Sequence, residues 1–130
     1  MGGKFKKPRE LHGVWSRKDN QTPKEIRHLY FNWYRMRMRC DPNPSKAMIK
    51  HHNWKNYGGR GIRVCDEWWN SFSAFLDWAL SHGYRIGLTI DRIDRNKGYC
   101  PENCQWLTRS ENSRKANYYR WHIKPFEKGV

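Results

Sequence analysis

The chain has 130 residues, enough for one domain with a modest core that needs neither metal nor disulfides to fold. Its 26 Lys and Arg stand against 12 Asp and Glu, and the resulting +14 points to a polyanionic partner, since each cation set on a phosphate releases a counterion. No apolar run reaches the length of a membrane span, and the N-terminus carries Lys and Pro where a signal peptide is apolar, so a cytoplasmic protein without a membrane partner is expected.

In chain order, residues 1–20 hold Lys4, Lys6, Lys7, Arg9, Arg17 and Lys18 with little apolar periodicity and read as a basic arm. A single domain is expected over 21–124, followed by a tail at 125–130. Thr22-Pro23-Lys24-Glu25 matches a capping box, and Ile26, Leu29, Tyr30 and Trp33 follow at helical spacing, which predicts a helix over 23–39. Asp41-Pro42-Asn43-Pro44 stops it, and an irregular connection runs to Asn56. Tyr57-Gly58-Gly59-Arg60-Gly61 reads as a tight loop, Ile62 to Cys65 as a short strand, and Asp66 as the cap of a second helix ended by Gly83.

Leu88 to Asp91 alternates like a strand, Asn96-Lys97-Gly98 supplies turn chemistry, and Cys104 to Leu107 is a second apolar strand. Thr108-Arg109-Ser110-Glu111 repeats the capping-box pattern and opens a third helix to about His122. The fold class expected is α+β, with three main helices and a C-terminal strand-loop-strand-helix (ββα) unit.

That order brings the end of the first strand beside the first turns of the last helix. Asp91 and Asn112 can then offer oxygens to one divalent cation, Mg²⁺ or Mn²⁺, with Asn103 bracing the loop between them. Taken singly, these residue types are also ordinary turn and cap residues. Arg60 among its glycines, and Arg109, Arg114, Lys115 and Arg120 on the last helix, are the candidate DNA contacts; the alternative is a solvated basic face. Cys40, Cys65, Cys100 and Cys104 form a second group. The close Cys100/Cys104 pair admits a structural Zn²⁺ site of four thiolates, and four buried apolar thiols are the alternative.

Asp91-Arg92-Ile93-Asp94, Asn103-Cys104-Gln105-Trp106 and Ser110-Glu111-Asn112, with Tyr57 to Ile62, Cys65 and Trp68, resemble the HNH (ββα-metal, His-Me finger) endonucleases. The resemblance is to small HNH-like proteins of tailed phages and their homing-endonuclease relatives, and spans roughly residues 28 to 117. It implies that Asp91 and Asn112 bind the metal and that Asn103 orients the general base. Arg92 departs from it, standing where the family's general-base His belongs. Arginine stays protonated and cannot accept that proton, though it can hold a phosphate. Asp94 is then the nearest substitute base in sequence, with His82, His51 or His52 arriving through the fold.

The function expected is metal-dependent hydrolysis of DNA phosphodiesters, by nicking or double-strand cleavage. The alternative is a non-catalytic DNA-binding protein on the same frame. A homodimer is left open, and a phage origin would place the protein in the bacterial host's cytoplasm. RNA binding through the aromatics is less favoured, as no strand matches an RNP-type motif.

Overall fold

The computed structural model describes residues 23–122, so the expected basic arm and C-terminal tail lie outside it. Within these residues the chain is mixed α+β: six α-helices and a two-stranded antiparallel sheet. The helices are α1 (Lys24–Arg39), α2 (Lys46–Ile49), α3 (His52–Asn56), α4 (Asp66–Asn70), α5 (Phe72–Ser81) and α6 (Arg109–His122). The strands are β1 (Thr89–Arg92) and β2 (Cys104–Leu107). None of the helices is long and apolar enough to cross a membrane.

Helix α1 forms where the periodicity predicts, with Leu29, Tyr30, Trp33 and Met36 on its buried face. Pro23 sits at its N-cap rather than in its first turn, and Thr22 of the expected capping box lies outside the described residues. The buried stripe packs on α5 through aromatic edges, Tyr30 and Trp33 meeting Phe72 at centroid distances of 5.2 and 5.5 Å. The Trp33 indole N–H donates to the Trp68 carbonyl at 2.6 Å, giving a buried polar atom its partner.

The expected second helix divides into α4 and α5. Ser71 is extended, with φ −144° and ψ 115°, and its hydroxyl accepts from the Ala74 amide as a fresh N-cap. Cutting the helix there turns Phe72, Phe75 and Trp78 toward the core that Trp68 already fills. The connection after α1 contains the short α2 and α3, the latter tied down by the Trp54 indole donating to the Asp41 carbonyl at 2.9 Å.

Ile62 to Cys65 does not form a strand. It makes one parallel bridge, Val64 to Tyr99, because the glycine turn precedes it and α4 begins directly after it. The Tyr99 amide donates to the Arg63 carbonyl and the Cys65 amide to the Tyr99 carbonyl, each at 2.9 Å. Gly98 permits this approach: a Cβ there would lie 2.2 Å from the Arg63 carbonyl oxygen. Gly61, at φ 87°, closes the preceding 3₁₀ turn Gly58–Arg60 in the left-handed region.

A candidate nucleic-acid interface at the hairpin and last helix

The two strands pair Thr89 with Leu107, Ile90 with Trp106, Asp91 with Gln105 and Arg92 with Cys104. Period-two alternation therefore sends Ile90 and Trp106 to the core and Thr89 and Asp91 to the opposite face. Helix α6 lies on that face. Its start is a complete capping box: the Glu111 carboxylate accepts from the Thr108 amide at 2.8 Å, and the Thr108 hydroxyl accepts from the Glu111 amide at 3.1 Å. The same backbone hydrogen bond holds the Glu111 carboxyl below its ordinary range.

With α6 anchored in this way, two residues one turn apart meet two strand residues two apart. The Asn112 amide donates to the Thr89 hydroxyl at 2.9 Å. One turn on, the Lys115 ammonium reaches the Asp91 carboxylate at 2.7 Å and the carbonyls of Arg92 and Ile93 at 2.7 and 3.3 Å. The same Asp91 oxygen accepts from Gln105 at 2.9 Å across the strand pair. Lys115 is thus the cation that neutralises Asp91, and not simply a surface contact for phosphate. The side chain of Asp91 is 10% exposed and that of Lys115 39%, so the pair straddles the boundary between core and solvent.

The hairpin loop is braced from inside by Asn103, a buried polar side chain. Its carbonyl oxygen accepts from the Asp94 amide at 2.8 Å, and its NH₂ donates to the Asp94 and Gly98 carbonyls at 3.1 and 2.9 Å. The loop-bracing expected of Asn103 is present, but these partners are backbone groups and no base is among them. Arg92 folds back over the hairpin loop. Its Nη1 donates to the Arg95 and Lys97 carbonyls at 2.6 and 2.9 Å, and its guanidinium lies 4.9 and 5.3 Å from the Tyr57 and Tyr99 rings. Arg39 approaches the same two rings and donates to the Tyr99 hydroxyl at 3.1 Å. Arg60 reaches back to the Asn96 side chain at 3.3 Å, tying the glycine turn to the hairpin loop.

Between loop and helix opens a cleft of about 730 Å³. Tyr57, Tyr99, Tyr118 and Tyr119 line it together with Arg92, Arg95, Lys115, Asp91 and Asp94. Arg95 covers Tyr119 at 4.1 Å. Asp94, the nearest candidate base, is exposed in this cleft and accepts from the Asn96 amide. The three candidate histidines do not line it: His51 caps α3 and stacks on His52, and His82 stacks on Trp78. Arg109, Arg114 and Arg120 are exposed on α6. The sequence reading overlooked Tyr57, Arg95, Tyr99, Tyr118 and Tyr119. The signal was present in the tyrosines flanking Gly58-Gly59 and Gly98, and in the aromatic pair among the cations of α6.

As folded, Asp91 Oδ2 accepts from the Lys115 ammonium, and the Asn112 NH₂, not its carbonyl oxygen, is the group turned to Thr89. The four cysteines are free thiols, and among the described residues no three His, Cys, Asp or Glu side chains converge as a metal group. Burial pushes the thiols of Cys40 and Cys104 up to about 11 and about 12, and raises those of Cys65 and Cys100.

Comparison of the chain with models of protein families, with curated proteins and with solved structures finds no match in any of the three.

Proposed function

We propose that this chain binds DNA through the face made by the β1–β2 loop and α6. One observation carries the reading: α6 buries none of its residues, yet it holds Arg109, Arg114, Lys115 and Arg120 against the single acid Glu111, beside a cleft that adds Arg92 and Arg95. A helix that contributes so little to the core leaves its surface for a partner, and cations in that density suit phosphate. Its capping box and the Lys115–Asp91 contact fix where those cations stand. Binding measured by fluorescence anisotropy on labelled DNA tests the proposal. Arg114→Ala with Arg120→Ala should weaken affinity and lower the salt slope by roughly one unit per lost phosphate contact.

Hydrolysis of the phosphodiester is a second reading, favoured by the strand, braced loop, strand and helix order and by the resemblance to HNH endonucleases. The side-chain geometry favours binding alone. Lys115 pairs with Asp91 Oδ2, and Arg92, bound to loop carbonyls, stands where the resemblance implies a histidine base. Plasmid incubated with the protein in Mg²⁺, Mn²⁺ or EDTA separates the two. Binding without nicking is expected; nicking that EDTA abolishes would establish the hydrolytic reading instead.

A further inference from the structure

The C-terminal half of α6 leaves large rings in water, Tyr118 59% and Trp121 72% exposed, with Ile93 of the hairpin loop 53% exposed. Exposed rings are costly unless something covers them. Their neighbours identify what. Arg114, Lys115 and Arg120 are interleaved with the aromatics along the helix, and Arg95 stands over Tyr119 at the cleft wall. A protein partner would favour a continuous apolar stripe, whereas rings alternating with cations match the alternation of base and phosphate along a nucleic-acid strand. The Tyr118 ring is held flat against His122, centroids 4.1 Å apart and planes within 14°, so it presents a fixed platform. Asp94 lines the cleft as well, but Asp91 is already neutralised by Lys115, and Arg92 and Arg95 against Asp94 leave the lining positive.

We infer that this surface stacks an unpaired base, so that the preferred ligand is single-stranded or locally opened DNA and not intact duplex; the inference rests on the DNA-binding reading above. Tyr118 and Trp121 take the base face, and Arg95 and Arg120 take the flanking phosphates. Duplex bases already stack on one another, and opening a step costs a few kcal/mol before any ring gains contact. An unpaired strand avoids that cost.

The test is equilibrium binding of the full chain to a labelled dT oligonucleotide of about 15 nucleotides and to a hairpin duplex carrying equal phosphates, in matched salt. Tighter binding to dT is expected. Tyr118→Ala and Trp121→Ala should each weaken dT binding by about tenfold or more while duplex affinity changes by less than about twofold, and Trp121→Phe should keep most of it. Circular dichroism checks that each variant is folded. Duplex preferred over dT, or alanine variants that bind dT like wild type, would overturn the stacking inference and leave DNA binding intact. Binding to neither DNA would overturn the DNA-binding reading itself. Sedimentation showing a dimer that Trp121→Ala dissociates would assign the face to a second copy of the chain and likewise overturn the inference.

Discussion

Lys115 and Asp91 decide how the hairpin face behaves. Asp91 is largely buried against Gln105, so losing the ammonium leaves a carboxylate with one side-chain donor in a poorly solvated place. Lys115→Ala should lower stability by about 1–2 kcal/mol, the exposure of Lys115 keeping the figure modest, and denaturant melts will measure it. Arg92→His, the residue expected there from the resemblance to HNH endonucleases, should loosen the hairpin loop, because imidazole cannot reach both loop carbonyls and cover two tyrosines at once. Faster amide exchange over 93–98 is the expected signature. For the cysteines, burial sets an order of reactivity. The thiolate is the nucleophile, so a pKa raised toward 11 or 12 keeps Cys40 and Cys104 unreactive near neutral pH, and labelling accelerates as pH rises. Cys65 and Cys100, less buried, should label first in a mass-spectrometric time course. One tightly held zinc per chain with all four thiols protected would instead establish the four-thiolate site.

Elements whose ends are set by local chemistry could be read from the sequence. Thr108 and Glu111 cap α6 as their spacing predicts, Gly83 at φ 81° follows α5, and Asn96-Lys97-Gly98 lies in the loop joining two paired strands. Thr108→Ala should cost about 1 kcal/mol and fray the first turn of α6. The cap is also sensitive to acid. The Glu111 pKa is depressed in the folded state, so its contribution is present above the ordinary carboxylate range and is lost as pH falls through the lowered value; helicity followed through an acid titration should show α6 weakening at that end. Features that tertiary contacts decide were not legible. Ser71 lies inside an apolar pattern that reads as one helix, and only the packing of Phe72 on α1 shows why the chain restarts there. The segment Ile62–Cys65 has strand composition but finds just Tyr99 to pair with. Asp91, Asn103 and Asn112 were legible as a group around the hairpin, whereas the partner of Asp91 was not: Lys115 is distinguished from its neighbours by its place one turn beyond Asn112. Gly98→Ala tests the tie between the glycine turn and the hairpin, since the new Cβ would press on backbone. A loss of about 2–3 kcal/mol is expected in thermal or denaturant melts.

At the scale of the molecule, the charge of +14 and the placement of α6 act together. A compact aromatic core built by α1, α4 and α5 supports the hairpin through Trp106, which packs against Phe75, Trp78 and Tyr84. The hairpin in turn carries α6 outward on Thr89 and Asp91, leaving its cations exposed. The core is therefore the mount, and the hairpin–helix face is the surface proposed to meet DNA. The measurement that tests this most directly is DNA affinity as a function of salt, for wild type and for the Arg114→Ala/Arg120→Ala variant. Wild-type affinity should fall steeply between about 50 and 200 mM salt, with a log-log slope of several units, and the variant's slope should be shallower by about two. A flat wild-type response, or a variant whose slope and affinity match wild type, would contradict the assignment of this face to DNA.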